Sequence, residues 1–219
     1  MSDTTQCICC GRTGSVPHLP GLLRCTHCTH VWADMQLSFD ELKQLYAGNY
    51  FQGDEYADYE HEAPALRHNF RKRLDTLAPQ FPKGAKLWEI GSAYGYFLAE
   101  AGRHFDVAGC EISEHAAARA RELFGVNIQC GDYLGLPHGG PYDIVCMWDT
   151  IEHLGEPQRY LERAASELRA GGTMALSTGD ISSLVARIRG PKWRLIHPPT
   201  HLHYFTARSI TVLLERLGF

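Results

Sequence analysis

Residues 86–97 read Lys86-Leu-Trp-Glu-Ile-Gly-Ser-Ala-Tyr-Gly-Tyr-Phe97, and this stretch decides the fold. Its first five residues suit a buried strand, although Glu89 interrupts the apolar run. A glycine turn follows from Gly91 to Gly95, and a helical pattern opens at Tyr96. A strand, a glycine turn and a helix in this order begin an α/β unit whose turn faces a nucleotide. The downstream chain continues to alternate strand and helix patterns, which predicts a parallel sheet with right-handed crossovers.

A carboxylate lies at the end of the next predicted strand. Glu111 follows Gly91 by twenty residues and closes the strand that begins at Val107. A carboxylate in this place accepts hydrogen bonds from both hydroxyls of a ribose. The sequence therefore predicts an adenosine-containing ligand.

The sequence of the turn discriminates between two such ligands, NAD and S-adenosylmethionine. A dinucleotide fingerprint has glycines at positions 1, 3 and 6, where the backbone closes on a pyrophosphate. Counted from Gly91 as position 1, this chain has Ala93 at position 3 and Tyr96 at position 6, so two of the three glycines are missing. Glu89 would repel a pyrophosphate but attract the ammonium of a methionine. The pattern E-x-G-x-x-x-G thus favours S-adenosylmethionine, with an NAD-dependent oxidoreductase as an alternative.

With these residues the chain resembles the class I S-adenosylmethionine-dependent methyltransferases. Tyr142-Asp-Ile-Val145 and Leu168-Arg-Ala-Gly-Gly-Thr173 are also similar to that family. The resemblance implies a Rossmann-like parallel sheet with helices on both faces, and a contact of Asp132 with the adenine amine. Tyr133 would lie against the adenine ring. The cofactor-binding residues predicted in this way are Glu89, Gly91, Ser92, Ala93, Tyr94, Gly95, Glu111, Ile112, Asp132, Tyr133 and Trp148.

Composition limits the class of protein. The chain has 219 residues and a net charge of −4, which argues against a general nucleic-acid or membrane surface. No run of 18 apolar residues occurs, and the first residues are polar, so we expect a cytoplasmic protein. Three of its eight cysteines, at positions 110, 130 and 146, fall on predicted buried strands and are expected in the core.

The other five cysteines lie in the first 28 residues. Cys7-x2-Cys10 and Cys25-x2-Cys28 are separated by fourteen residues, and four thiolates match the closed tetrahedral coordination of structural zinc. Cys9 and His27 are alternative ligands. We therefore predict a zinc-ribbon-like module over residues 1–35, a helical and aromatic lid and linker over 36–82, and the S-adenosylmethionine-binding domain over 83–219. In the linker, Ser38 is expected to cap a helix, and the tyrosines that follow either pack against the main domain or cover the cofactor.

Candidate catalytic residues lie in the loop after the fifth predicted strand. A histidine is the obvious base at neutral pH, and His201, His203 and Tyr204 follow one another closely here. Asp149-Thr-Ile-Glu-His153 and Thr200-His-Leu-His-Tyr-Phe205 resemble a branch that includes the ubiquinone-pathway O-methyltransferases. That resemblance implies a small-molecule acceptor, more often at oxygen than at carbon or nitrogen.

Two further alternative functions remain open from the sequence. Asp149, Glu152, His153 and His201 could form a divalent-metal site similar to that of the small-RNA 2′-O-methyltransferases, although basic surface for RNA is thin. The chain could also be a catalytically idle, S-adenosylmethionine-binding adaptor.

The sheet is expected to be completed by residues beyond those given. Two strands that usually end this fold are missing after the helix predicted over 206–217, so a further segment or a second copy of the chain is expected to complete the sheet.

Overall fold

The computed structural model describes residues 6–35, residue 41 and residues 61–219. These residues fall into two units. One comprises the described part of Phe39–Met147 together with Ser166–Ala175. The other comprises the described part of Met1–Ser38 together with Trp148–Ala165 and Leu176–Phe219. The two are called the sheet unit and the ribbon unit below. The predicted lid over 36–60 lies almost wholly outside the described residues.

A parallel sheet organises the sheet unit. Its strands are β4 (Lys86–Ile90), β5 (Asp106–Glu111), β6 (Asn127–Cys130), β7 (Tyr142–Trp148) and β8 (Leu168–Ser177). The spatial order is β6-β5-β4-β7-β8, and β4 pairs in parallel with both β5 and β7. The strand order therefore reverses at β4, and its carboxyl end is the place where an open α/β sheet binds ligands. This confirms the predicted Rossmann-like sheet.

Six α-helices occur among the described residues, and three of them begin at a residue whose side chain caps the helix. They are α1 (Ala63–Leu77), α2 (Tyr96–Ala101), α3 (Glu114–Phe124), α4 (Pro157–Glu167), α5 (Leu184–Arg189) and α6 (Ala207–Arg216). Ser113 caps α3 by accepting the Ala116 amide, and Gly125 ends that helix in the left-handed conformation. Thr206 and Ser209 form a reciprocal capping box at the start of α6.

A buried carboxylate joins the first two helices. Glu100 on α2 accepts a hydrogen bond from Arg67 at 2.6 Å and one from Arg71 at 3.1 Å, and Arg103 lies 3.2 Å away. Burial opposes ionisation of Glu100, but the three guanidinium groups outweigh it and lower its pKa. The ionised carboxylate therefore ties α1 to the end of the glycine turn's helix.

The ribbon unit contains a second, antiparallel sheet. Its strands are β1 (Ser15–Leu19), β2 (Leu22–Cys25), β3 (Val31–Ala33) and β9 (His203–Tyr204), in the order β1-β2-β3-β9. Val31 pairs with Tyr204 and Trp32 with His203. Arg216 on α6 also donates to the carbonyls of Cys9 and Ile8. The predicted 1–35 module thus forms one sheet with a strand from the far end of the chain.

One core prediction is wrong. Cys110 and Cys146 are buried as expected, but Cys130 is exposed. Cys130 ends β6, and β6 is an edge strand of the sheet, so its residues are covered less completely than those of β4 or β7.

Among the described helices, none is both long and apolar enough to cross a membrane.

Candidate functional site

The glycine turn after β4 adopts a conformation that its sequence makes accessible. Gly91 and Gly95 have φ of 76° and 74°, and Ala93 between them has φ of 45°. A Cβ on Gly95 would lie 3.0 Å from the Cβ of Ala120 and 3.1 Å from a methyl of Val126. Gly95 is therefore needed both for its left-handed backbone and for the close approach of α3. The amides of Gly91 and Ser92 both donate to the carbonyl of Cys110, which fastens the turn to β5.

Glu111 lies against this turn, as the sequence predicted. One carboxylate oxygen accepts the amide of Ala93 at 2.8 Å, and the other accepts the amide of Ser113 at 2.9 Å. Burial raises the pKa of Glu111, while these backbone hydrogen bonds oppose the shift. A carboxylate has about four acceptor positions, so two backbone donors leave capacity for ribose hydroxyls.

Glu89 is a second buried carboxylate at the end of β4. Burial raises its pKa well above the usual range, the charge of Glu111 adds to this, and Arg73 opposes it. Its Oε2 atom is buried and has no hydrogen-bond partner among the described residues. A cationic ligand group would stabilise the ionised form of Glu89 and satisfy that oxygen. The residues around the turn therefore fit a ligand that joins an adenosine to an ammonium.

Residues predicted at the adenine end have structural contacts of their own. Asp132 caps a short 3-10 helix by accepting the Leu134 amide at 3.3 Å. Tyr133 is buried, and its hydroxyl donates to Glu167 at 2.7 Å. No spacing in the sequence indicates that contact with Glu167. The adenine contacts of Asp132 and Tyr133 therefore stay predictions.

The other predicted cofactor residues lie at or beside strand ends. Tyr94 is buried within the turn, with its ring edge-on to His115. Ile112 follows Glu111 and is half-buried. Trp148 is the last residue of β7 and is also half-buried. Their contacts with a cofactor stay predictions as well.

The four cysteines of the ribbon converge. The sulfur atoms of Cys7, Cys10, Cys25 and Cys28 all lie within 4.8 Å of one another. The Cys7–Cys28 and Cys10–Cys25 pairs are 3.5 and 3.6 Å apart, close to the edge of about 3.8 Å expected for four sulfurs around zinc. The alternative ligand His27 instead contacts the Thr13 carbonyl at 3.1 Å. These four residues fit a structural zinc ion, which would hold the turn before β1 against the turn between β2 and β3.

A second cluster combines Glu152, His153 and His201, whose ligand atoms also lie within 4.8 Å of one another. His153 Nδ1 donates to the Thr200 carbonyl and His201 Nδ1 to the Leu195 carbonyl, both at 2.9 Å. In each neutral ring, the lone pair is then on Nε2. Burial lowers the pKa of His153 to about 4, so this imidazole is neutral at physiological pH. Asp149 is not part of the cluster, and its carboxylate accepts from the Ser177 hydroxyl.

The remaining predicted catalytic residues, His203 and Tyr204, lie in β9. His203 Nδ1 is 3.2 Å from Nε2 of the buried His30, and burial lowers the pKa of His203 to about 4. The Tyr204 hydroxyl donates to the His201 carbonyl at 2.9 Å and accepts the His197 amide, and burial raises its pKa to about 12. Both side chains therefore support the ribbon sheet and the 197–201 loop. The role of His30 was missed, because nothing in its spacing indicates a partner so distant in sequence.

Comparison with known proteins agrees with this geometry. Residues 59–219 match the family described as "Methyltransferase domain". A ubiquinone biosynthesis O-methyltransferase of Aromatoleum aromaticum is 30% identical over 128 residues, which cover 54% of this chain and 52% of that protein. The chain thus spans about half the length of the curated relatives it matches.

Solved structures share the architecture. A methyltransferase of Thermotoga maritima is 26% identical with a TM-score of 0.58, covering 74% of this chain and 77% of that one. One of Archaeoglobus fulgidus is 23% identical with a TM-score of 0.60, covering 74% and 73%. Because the family match extends over well more than half of the sequence, the chain belongs to the Methyltransferase domain family.

Proposed function

We propose that this protein transfers a methyl group from S-adenosylmethionine to a hydroxyl of a small molecule. The observation that carries the proposal is the pair of buried carboxylates beside the glycine turn. Glu111 is held by the amides of Ala93 and Ser113 and offers acceptors to a ribose. Glu89 retains a buried oxygen that suits an ammonium. The sulfonium supplies an activated methyl group, so the protein has to bind, orient and deprotonate the acceptor.

An oxygen acceptor is supported by the relatives, since two of them are named as ubiquinone biosynthesis O-methyltransferases. Such an acceptor needs a base. Of the predicted catalytic residues, we propose His201 as this base, because its Nδ1–H donates to the Leu195 carbonyl and fixes the lone pair on Nε2. Transfer to a quinone-like, sugar or natural-product hydroxyl is consistent with this chemistry.

Calorimetry tests the cofactor assignment. The protein is expected to bind S-adenosylhomocysteine saturably and to show no saturable binding of NADH, since the turn carries a carboxylate where a pyrophosphate would lie. Saturable NADH binding without S-adenosylhomocysteine binding would overturn the proposal. Binding of S-adenosylhomocysteine without methyl transfer to any phenol, catechol or sugar hydroxyl would instead indicate the idle adaptor.

As an alternative to a His201 base, we propose that Glu152, His153 and His201 hold a divalent cation that would orient the acceptor hydroxyl, in which case the Nε2 lone pair of His201 binds the cation and not a proton. A carboxylate oxygen and two neutral imidazoles are suitable ligands, and the carbonyls of Thr200 and Leu195 fix both rings from behind. An RNA 2′-hydroxyl would be the acceptor in the second candidate function, metal-assisted RNA methylation. The cation site is what favours that candidate.

Mn²⁺ titration followed by electron paramagnetic resonance checks this site without removing zinc from the ribbon. The parent is expected to bind Mn²⁺, and His201→Asn to weaken that binding by about tenfold or more because one ligand is lost. His115→Asn, at an exposed position on α3, is the control and should bind as the parent does. Equal Mn²⁺ affinity in parent and His201→Asn would rule out the site. Loss of methyl transfer to a small acceptor on Mg²⁺ removal, without activity on RNA, would exclude the RNA candidate.

A further inference from the structure

A cleft in the ribbon unit is lined by cations and apolar side chains. Its volume is about 750 Å³, within the range of small-molecule sites. The ribbon contributes His18, Leu19, Arg24, Thr29 and Val31, and the segment from Ile181 to Arg208 contributes the opposite wall. No Asp or Glu lines the cleft among the described residues.

The charges around the cleft are of one sign. Arg24, Arg187 and Arg208 all line it, and no carboxylate partner is found for them in the described part of the chain. The Arg24 charge also adds to burial in lowering the pKa of His18, so the two groups are close enough to repel each other. A bound anion would relieve this repulsion.

The sequence around these residues is uniformly free of acids. Residues 4–33 contain no Asp or Glu, and neither do residues 181–214. The second segment nevertheless contains Arg187, Arg189, Lys192, Arg194 and Arg208, in a chain whose net charge is −4. Asp180 precedes it, and that carboxylate accepts hydrogen bonds from the amide and hydroxyl of Ser182. Of the cations in these two acid-free segments, Arg24, Arg187 and Arg208 line the cleft.

The helix beside the cleft exposes apolar side chains. Leu184, Val185 and Ile188 on α5 are 70%, 57% and 75% exposed. Their spacing places them on one side of the helix, while Ala186 and Arg187 line the cleft. Large apolar groups next to a cluster of arginines match a ligand with an anionic head and an apolar portion.

We propose that this cleft binds the phosphate group of an amphiphilic ligand, with the arginines on the phosphate and α5 beside the apolar portion. Two sources share that chemistry: a soluble phosphorylated compound and the headgroup of an anionic phospholipid. Arg24, Arg187 and Arg208 supply planar donors for phosphate oxygens. The site does not depend on methyl transfer.

Two binding assays on the zinc-loaded full chain test the proposal. The probes are inorganic pyrophosphate, followed by calorimetry, and phosphatidylcholine vesicles with or without phosphatidylglycerol, followed by cosedimentation. The variant Arg24→Gln/Arg208→Gln removes two cleft charges. The matched control Arg119→Gln/Arg159→Gln removes one half-buried and one exposed charge, which pair with Glu122 and Glu156 and do not line the cleft. If the first double variant does not fold, Arg187→Gln, at an exposed position on α5, replaces it.

The parent and the control are expected to bind pyrophosphate, phosphatidylglycerol vesicles or both, and the cleft variant to bind about tenfold or more weakly. Leu184→Ser/Ile188→Ser tests the part assigned to α5. Loss of vesicle binding with pyrophosphate binding intact assigns a lipid headgroup, whereas a parent that binds pyrophosphate but not phosphatidylglycerol vesicles assigns a soluble phosphorylated ligand. Unchanged vesicle binding in this variant would overturn the role of α5. The proposal is overturned if the parent binds neither probe, or if the control variant is weakened as much as the cleft variant.

Discussion

Replacement of Glu111 by alanine is expected to weaken S-adenosylhomocysteine binding by about a hundredfold. Two hydrogen bonds from ribose hydroxyls to a charged acceptor are lost, each contributing about 1.5 kcal/mol or more. The variant also removes the acceptor for the amides of Ala93 and Ser113, so the turn keeps its backbone bonds to Cys110 but loses its side-chain contact with the end of β5. Isothermal titration calorimetry measures the change directly.

Two companion variants show which effect dominates. Glu111→Gln keeps one acceptor oxygen but loses the charge, so its affinity should lie between those of the parent and the alanine variant. Glu122→Ala removes an exposed carboxylate of α3 that pairs with Arg119, and it should bind as the parent does. An alanine variant at Glu111 that binds within about twofold of the parent would contradict the ribose contact.

Loss of the zinc ion that we propose for the four ribbon cysteines is expected to destabilise both β3 and β9. Cys25→Ser should release the metal and lower the local stability by at least about 4 kcal/mol, because a segment this small depends on its ion to stay folded. Since β3 pairs with β9, amide exchange should quicken about a thousandfold at Val31 and also at Tyr204. Hydrogen exchange followed by mass spectrometry, together with zinc analysis, provides the measurement.

The matched control for this change is Cys130→Ser, which alters an exposed cysteine at the end of β6. It should retain one zinc per chain and parental exchange at Tyr204. Faster exchange at Val31 with no change at Tyr204 in Cys25→Ser would show that β9 is held by its own loop. In that case the hydrogen bond between His30 and His203 would not be needed to hold β9 in place.

Local sequence patterns predicted the central sheet and the glycine turn well. The run from Lys86 to Phe97 contains the strand, the left-handed glycines and the helix start, and all three are properties of adjacent residues. The distance to Glu111 was informative for the same reason, since one βαβ step fixes where the next strand ends. The helix Glu114–Phe124 was bounded by its own caps, Ser113 and Gly125.

Contacts between distant residues were not predicted. A two-residue strand such as β9 has too few positions to show a period, and its partner β3 is near the other end of the chain. The contact between Tyr133 and Glu167 was not predicted either, because 34 residues separate the two in sequence. The position of Tyr133 suggested an adenine contact instead. The net charge of −4 is a total over the whole chain, so it could not indicate the two acid-free segments that contribute residues to the ribbon cleft.

The pairing of β3 with β9 has a consequence for synthesis on the ribosome. The four ribbon cysteines are complete once Cys28 has been translated. The contact between the His30 and His203 rings, however, can form only after His203 has been translated, 173 residues later. Closing so long a loop costs conformational entropy that only later contacts offset. The nascent ribbon therefore leaves the ribosome with the edge of β3 unpaired, a strand edge open to other chains until the last part of the sequence arrives.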